Sequence, residues 1–228
     1  MWGTVGGLGV LAAVLLALAA CGSEEPPRAS GAADGALRPL PAPASGPAGT
    51  LEEVIAERRS VRSFDPAPLR EEQVGQLLWS AQGITDAGGA RSAPSAGATY
   101  PLQLLAVTTE GVARYHPEEH ALSDHRAGDQ RAALADAAYA QEWIAEAGLV
   151  LVISGVVERT AARYGDRAER FMLLEAGHAA QNVLLQAVAL ELGATPVGAF
   201  DAGQLRSILD LPADEEPLYL LPVGVIDG

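Results

Sequence analysis

The longest continuous helical pattern of the chain covers residues 170–192, and its apolar positions indicate where the core of the fold lies. These positions occupy most of the helical circumference instead of one stripe, which predicts a helix packed on nearly all sides. They are Phe171, Leu173, Leu174, Ala176, Ala179, Ala180, Val183, Leu184, Ala187, Val188 and Leu190. Gly193 follows this segment, and glycine readily adopts the left-handed backbone conformation that ends many helices. We therefore expect this helix to form the centre of the core and to stop at Gly193.

The polar residues of the same segment are not scattered. At 100° per residue, Glu175, His178, Asn182 and Gln186 fall within roughly 80° of one another and form a polar seam. A polar seam on a buried helix must meet hydrogen-bonding partners. Those partners could be another polar helix face, a second subunit or a bound ligand.

The remaining pattern predicts further helices and short strands. The predicted helices cover residues 51–59, 70–82, 129–147 and 202–209. The predicted strands cover residues 102–109, 112–116, 120–123, 148–154, 195–200 and 217–225. Thr50 and Glu53 have the spacing of a capping box, Gly83 is expected to end the second helix, and Ser95 is expected to cap the start of another. Because helices alternate with few strands and the hairpins lie together, we expect an α+β fold with one sheet packed by helices.

The N-terminal part of the chain is predicted to lie outside this fold. Residues 1–20 carry no charged side chain, and their apolar run, residues 8–20, is short for a bilayer span. It ends in Leu18-Ala19-Ala20-Cys21, which resembles the lipobox of bacterial lipoproteins. The resemblance predicts a signal peptide over 1–21, lipidation at Cys21 and a membrane-anchored protein facing the periplasm or the cell exterior. An ordinary secretory signal or a short membrane anchor are the alternatives.

Composition indicates which part of the chain folds and argues against one class of partner. Residues 22–50 are rich in Pro, Ala, Gly and Ser and are predicted to form a disordered tether, so residues 51–228 form one domain. The chain has fifteen arginines, no lysine and a net charge of −14. This charge argues against nucleic acid as a partner, because phosphate backbones favour a basic surface.

Three segments could bind a ligand. Arg58-Arg59-Ser60-Val61-Arg62 concentrates guanidinium groups around a hydroxyl, which suits a phosphate, although a solvated basic turn is the simpler interpretation. Residues 95–98, Ser-Ala-Gly-Ala, are small enough to let a flat ligand approach the backbone. Residues 195–199, Thr-Pro-Val-Gly-Ala, are also small and follow the long helix directly.

These segments, taken together, resemble a known family. RRSVRSF, PSAGATYPL, EAGHAAQNVLLQAVALELGATPVGAFD and LPADEEPLYLLPVG occur in the order and spacing of the nitroreductase superfamily of flavin-dependent oxidoreductases. The resemblance is strongest to its SagB/ThcOx dehydrogenase branch and covers nearly all of residues 51–228. It implies an α+β sandwich that forms a homodimer, with FMN bound in a cleft between the subunits and a small molecule or peptide as substrate.

The resemblance also implies roles for individual residues. Arg58 and Ser60 would hold the FMN phosphate and ribityl chain with Arg59 beside them, and Arg62 would lie near flavin N1 and O2 and stabilise the charge of the reduced ring. The remaining cofactor contacts would be Ser95, Ala96 and Gly97 from the partner subunit, and Pro196, Val197 and Gly198 on the N5 side. Residues 220–224 would lead to a last phosphate contact.

Two departures from the family pattern affect this interpretation. The family usually has a basic residue after the PVG sequence, where this chain has Val225, Ile226 and Asp227. A Lys-Tyr pair that serves as the base in azoline oxidases of this branch is absent, because the chain has no lysine. Catalytic residues therefore stay unassigned, with Tyr100 and Tyr164 as possible proton donors. Outside the cytoplasm a nicotinamide is not the expected electron donor.

Two other functions are alternatives to the flavin enzyme. The first is a binding protein of the envelope that has lost catalysis. The second is a metal-dependent hydrolase, because Glu175 and His178 have the i, i+3 spacing of half a carboxylate-bridged dimetal site. Such a site needs a second pair on another helix, which the sequence does not offer, so no metal is expected and His178 is interpreted as a structural histidine.

Overall fold

The computed structural model describes residues 36–44 and 49–227. The predicted signal peptide with Cys21 and most of the predicted tether lie outside these residues. In the part of the chain that is described, no helix combines the length and the apolar composition needed to cross a bilayer.

The described residues form an α+β fold around one sheet, as predicted. The strands are β1 (Arg38–Pro39), β2 (Phe64–Asp65), β3 (Leu102–Val107), β4 (Gly111–His116), β5 (Ala121–Ala127), β6 (Leu149–Gly155), β7 (Leu192–Ala194) and β8 (Glu216–Ile226). Their order is β1-β5-β4-β3-β6-β8-β2, with β7 paired to β8, and the strand pairs are antiparallel. The helices are α1 (Leu51–Glu57), α2 (Glu71–Gln82), α3 (Arg131–Ala137), α4 (Trp143–Glu146), α5 (Glu158–Tyr164), α6 (Ala168–Ala189) and α7 (Ala202–Ile208).

Strand β6 lies at the centre of the sheet and separates two hydrophobic clusters. All seven of its residues are buried, as its continuous apolar run predicts. Leu149, Leu151 and Ile153 face the cluster built with α2 and α6. Val150 and Val152 face the cluster built with α3, α4 and α7. Because side chains alternate along a strand, one apolar run supports helices on both faces of the sheet.

Helix α6 differs from its prediction in two respects. One face is open in the single chain: Leu173 and Leu174 are half exposed, and Gly177, His178 and Gln181 are also exposed. The helix ends at Ala189, and Glu191, with φ of 59°, takes the left-handed conformation expected of Gly193. Gly193 lies instead in β7, where a Cβ would stand 2.7 Å from Val61 Cγ1. Its missing side chain therefore allows the chain after α1 to pack against β7.

Two other predicted elements are wrong. The helix predicted over residues 129–147 is divided into α3 and α4, because Tyr139 and Ala140 adopt φ of 59° and 57° between them. The strand predicted over residues 195–200 is displaced to β7, and only a single bridge joins Val197 to Leu220. Helix α5 was not predicted. Both errors arise where local backbone conformations, which apolar periodicity does not reveal, interrupt an element.

The folded unit begins before residue 51. Strand β1 pairs with β5, Leu40 is buried beside α2, and the backbone N–H of Leu40 donates to the carbonyl of His120 over 2.9 Å. The His120 ring also contacts the Pro41 carbonyl over 2.9 Å. Residues 36–44 thus belong to the domain and not to the tether, because backbone pairing at a sheet edge can order a chain with few apolar side chains.

Candidate functional site

The arginine-rich segment after α1 lies along β7. Ser60 and Ala194 form a parallel bridge, and the Val61 N–H donates to the Ala194 carbonyl over 3.1 Å. This pairing joins the predicted phosphate-binding segment to the chain that leads from α6 into residues 195–198. Two of the three predicted ligand segments therefore meet at one edge of the sheet.

The three arginines of this segment occupy different environments. Arg58 is half-buried, and Arg62 is exposed with its guanidinium 5.9 Å from the centre of the Trp143 ring. Arg59 turns back and donates to the carbonyls of Ala56 and Arg58 over 2.8 and 2.9 Å, so it caps the end of α1. None of the three forms an ion pair with an acidic side chain among residues 36–44 and 49–227. The segment thus offers unpaired positive charge on an acidic protein, which suits an anionic ligand.

The loop after β7 completes this edge. Val197 exchanges backbone hydrogen bonds of 2.8 and 3.0 Å with Leu220 of β8, while Pro196 and Gly198 on either side are exposed. Thr195 is buried and its hydroxyl has no hydrogen-bond partner among the described residues. The loop therefore presents two small exposed residues and an unsatisfied hydroxyl beside the arginine segment.

Residues 95–97 lie elsewhere in the single chain. The Gly97 carbonyl accepts from Arg163 over 3.2 Å, and the Ser95 side chain lies near the Glu175 carboxyl. An α-helix rises 1.5 Å per residue, so Glu175 lies roughly 20 Å from the end of α6 at Ala189. One chain thus places Ser95, Ala96 and Gly97 far from the arginine segment.

The expected helix after Ser95 is a single 3₁₀ turn, Ala96–Ala98. Gly97, Ala98 and Tyr100 adopt φ of 62°, 54° and 44°, which ends a right-handed helix. The Ser95 hydroxyl accepts from the Tyr100 N–H over 2.9 Å instead of capping a helix. A Cβ at Gly97 would lie 2.8 Å from the Tyr164 hydroxyl, so glycine at this positive φ lets the turn pack against α5 without displacing that side chain.

The polar seam of α6 finds most of its partners within the same chain. Asn182 donates to the Ser92 carbonyl over 3.2 Å, and Gln186 accepts from Gln76 of α2 over 3.1 Å. His178 differs, because it is exposed on the open face and has no hydrogen bond to a described residue. Among the described residues no three His, Cys, Asp or Glu side chains are placed to hold a metal ion.

Glu175 is the most unusual member of the seam. Its side chain is 2% exposed, and its Oε1 atom has no hydrogen-bond partner in the described structure. Burial raises the pKa of Glu175 to about 7, although the nearby Ser95 hydroxyl and the charge of Arg91 oppose this rise. A buried carboxyl group with a raised pKa therefore lies near Ser95.

At the place of the expected last phosphate contact, this chain has an acidic residue instead of a basic one. Residues 220–224 lie in β8, and at its end the Asp227 carboxylate accepts from the Ser63 hydroxyl over 3.3 Å. An acidic group thus lies next to the arginine segment, where the resemblance implies a basic one. The possible proton donors are both half-buried: Tyr164 stacks edge-on with Phe171 at 4.9 Å, and Tyr100 lies under the Arg91 guanidinium at 4.3 Å.

An open groove lies apart from these segments, between α1, α2 and α6. It encloses about 440 Å³, within the 300–1,000 Å³ range of small-molecule pockets. Trp79, Ser92, Asn182, Gln186 and Leu190 line it, and none of the ten predicted cofactor residues does. Sequence reasoning also missed Trp143 beside Arg62 and Arg163 beside Gly97, because each contact joins residues more than 60 positions apart in the chain.

Comparisons with known proteins agree with this architecture. The family model described as the nitroreductase family matches residues 55–225. A protein of Methanocaldococcus jannaschii, whose name places it among the nitroreductases, is 43% identical over 183 residues, covering 76% of this chain and 90% of that protein.

Two solved structures illustrate the similarity of the fold. The crystal structure of a Ralstonia eutropha protein, also named among the nitroreductases, has a TM-score of 0.78 and 30% identity and covers 84% of this chain and 90% of that one. The NADPH:FMN oxidoreductase of Vibrio harveyi, complexed with NAD⁺, has a TM-score of 0.59 and 24% identity, covering 78% of this chain and 69% of that one. The second likeness concerns the fold alone.

Proposed function

Since this chain belongs to the nitroreductase family and is an oxidoreductase, we propose that it binds FMN and exchanges electrons with a small-molecule or peptide substrate. The observation that carries the proposal is the unpaired charge of Arg58 and Arg62, held next to the loop of residues 196–198 by the bridge between Ser60 and Ala194. A SagB/ThcOx-type dehydrogenase is the specific assignment that the sequence motifs favour.

The residues at this edge fit such a cofactor. Arg58 and the Ser60 hydroxyl are donors suited to a phosphate, and Arg62 is a cation that would stabilise negative charge on a reduced ring. Pro196, Val197 and Gly198 offer a surface with little side-chain bulk against which a flat ring could lie. FMN, when bound, would supply the two-electron chemistry, and the chain would supply binding, orientation and charge.

A homodimer would complete the proposed site. The Ser95 turn and the arginine segment lie roughly 20 Å apart along α6, so a ligand that touches both would take them from two subunits. The open face of α6 carries Leu173 and Leu174, 50% and 51% exposed, and the helix pattern is apolar around most of its circumference. Exposed apolar surface of this kind marks an interaction site, and a second copy is the occupant that also completes the cofactor site.

Replacing Leu174 with aspartate is expected to weaken dimerisation by about tenfold or more, because a charge would be buried in the proposed interface. Sedimentation equilibrium of the full chain measures the dissociation constant. Leu37→Asp is the control, since Leu37 is a comparably exposed leucine outside α6. A wild type that stays monomeric, or an equal effect of both substitutions, would contradict the dimer.

The test of the function is the visible absorption spectrum of the purified full chain, as isolated and after incubation with FMN and removal of the excess. We expect one FMN per subunit, loss of the flavin absorption on addition of dithionite, and its return when a nitroaromatic compound is added without oxygen. A folded, colourless protein that does not retain FMN would overturn the proposal.

A flavin- or ligand-binding protein without catalysis is the second candidate. The position of Asp227 beside Ser63, next to the arginine segment, and the absence of lysine favour it. The same experiment separates the two candidates. A bound flavin that is re-oxidised by nitroaromatic compounds no faster than free FMN would support the second one.

We also propose that the protein is attached to the cell envelope through a lipid on Cys21. The support is the lipobox-like sequence Leu18-Ala19-Ala20-Cys21. Mass spectrometry of protein extracted from membranes should show a lipid mass on the N-terminal cysteine, and Cys21→Ser should abolish it. An unmodified cysteine in the wild type would contradict the lipid attachment. It would also remove the reason to expect an electron donor other than a nicotinamide, because that expectation rests on a location outside the cytoplasm.

A further inference from the structure

Helix α5 places two guanidinium groups beside the Ser95 turn, residues 95–100. Arg163 donates to the Gly97 carbonyl and Arg159 donates to the Tyr100 carbonyl, each over 3.2 Å. The two arginines are four residues apart, so their side chains are neighbours on one face of the helix. The carbonyls of the turn therefore hold both cations in fixed positions next to each other.

The positive charge of these groups is not neutralised within the chain. Neither Arg159 nor Arg163 forms an ion pair with an acidic side chain among residues 36–44 and 49–227. A third guanidinium, that of Arg91, lies 4.3 Å from the centre of the Tyr100 ring and is paired with Glu118 over 3.0 Å. The turn thus carries unpaired positive charge on a protein whose net charge is −14.

Arg159 is unfavourably placed for a cation without a partner. It is half-buried, and burial lowers its pKa because the charged guanidinium loses hydration. The charge of Glu215 opposes this shift, but that carboxylate already accepts from Arg114 over 3.1 Å and from the Ser154 hydroxyl. A bound anion would compensate the lost hydration of Arg159.

A carboxylate fits this position. A guanidinium has several N–H donors in a planar fork, and each of these two gives one of its nitrogen atoms to a backbone carbonyl. Donors therefore remain for a planar carboxylate. In the proposed dimer the Ser95 turn contacts FMN held by the partner subunit, so a ligand bound here would lie beside the flavin.

We propose that Arg159 and Arg163 bind a carboxylate of the substrate and make the enzyme selective for anionic substrates. This inference rests on the proposed function and names the substrate class. It differs from a purely structural role, in which the two arginines would only tie α5 to the turn and would affect charged and neutral substrates alike.

The test compares 4-nitrobenzoate with the neutral 4-nitrobenzamide as oxidants of the reduced full chain, without oxygen. In both, the nitro group takes two electrons and two protons and becomes a nitroso group, with release of water, so the compounds differ in the charge at the far end of the ring. In Arg159→Gln and in Arg163→Gln we expect the rate constant for 4-nitrobenzoate to fall about fivefold or more, because a charge-assisted hydrogen bond is lost. The rate constant for 4-nitrobenzamide should stay within about twofold.

Arg70→Gln is the matched control. Arg70 is exposed, like Arg163, and forms no ion pair within the described part of the chain. Helix α2, with 12 residues or about 18 Å, separates it from Gln82, which accepts from Arg91. Neither rate constant should change in this variant. Equal losses for both nitro compounds in the α5 variants would show a structural role and overturn the inference, as would an unchanged rate for 4-nitrobenzoate.

A wild type that does not bind FMN would overturn the proposed function, and the anion site can then be tested alone. Titration calorimetry of the full chain without FMN measures the binding of benzoate and of benzamide. We expect the wild type and Arg70→Gln to bind benzoate more tightly, and Arg159→Gln and Arg163→Gln to lose this preference. Equal binding of the two compounds by the wild type, or a preference that survives both α5 variants, would refute the site.

Discussion

Replacing Arg58 and Arg62 together with alanine is expected to raise the dissociation constant for FMN by about 100-fold or more. Both guanidiniums lack an acidic partner among the described residues, so in the proposed site their charge is directed to the ligand. Each hydrogen bond between charged groups contributes about 1.5–3 kcal/mol, and every 1.4 kcal/mol is tenfold in affinity. Fluorescence titration with FMN measures the change.

The control for this double variant is Arg38→Ala with Arg126→Ala. It lowers the net charge by the same amount, but these arginines pair with Glu71 and Asp210, away from the candidate site. Its dissociation constant should stay within about threefold of the wild type, because long-range charge is screened beyond about 10 Å at 0.1 M salt. Retention of FMN by the Arg58 and Arg62 variant would refute the site assignment.

The free energy of unfolding is expected to contain a contribution from Glu175 that falls as pH rises from 4.5 to 7. Burial raises the pKa of Glu175 from 4.5 to about 7, so within this window the folded protein keeps a proton that the unfolded chain has released. Below pH 4.5 the carboxyl is protonated in both states and there is no penalty. Above pH 7 it is charged in both, and the full penalty is about 3 kcal/mol.

Glu175→Gln removes this titration while keeping the shape of the side chain. Urea unfolding at pH 5 and pH 8 should show that the wild type loses about 2 to 3 kcal/mol more than the variant between the two values. Glu169→Gln, which changes an exposed carboxyl, should follow the wild type. Parallel pH dependences of wild type and Glu175→Gln would show that Glu175 is not a neutral acid in the folded protein.

These two experiments address different parts of one proposal. The arginine variant tests the edge formed by α1, β7 and the loop after it. The Glu175 variant tests whether this residue of the polar seam is protonated in the folded protein, and the test needs no FMN. A wrong cofactor site would fail only the first experiment, and a Glu175 that is not a neutral acid in the folded protein would fail only the second.

The sequence by itself determined the features that depend on neighbours along the chain. The capping box is present, with Thr50 and Glu53 exchanging hydrogen bonds of 2.8 and 3.3 Å, and α2 ends at Gln82 with Gly83 as its cap. The buried strand β6 and the α+β class also follow from periodicity. Such signals are local, because hydrogen bonds within one turn and alternation along one strand need no distant partner. The motifs that indicate the family are likewise short and continuous.

Only the tertiary structure decided how these segments meet. It placed Ser60 against Ala194 and Arg62 over Trp143, and it set the Ser95 turn beside Glu175, far from the arginine segment. It also left one face of α6 exposed in the single chain, although periodicity predicted that face to be buried. Residues 36–44 are ordered through pairing with β5. Contacts between residues distant in the chain depend on packing and on which backbone edges remain unpaired, and neither property is encoded within a short window of sequence.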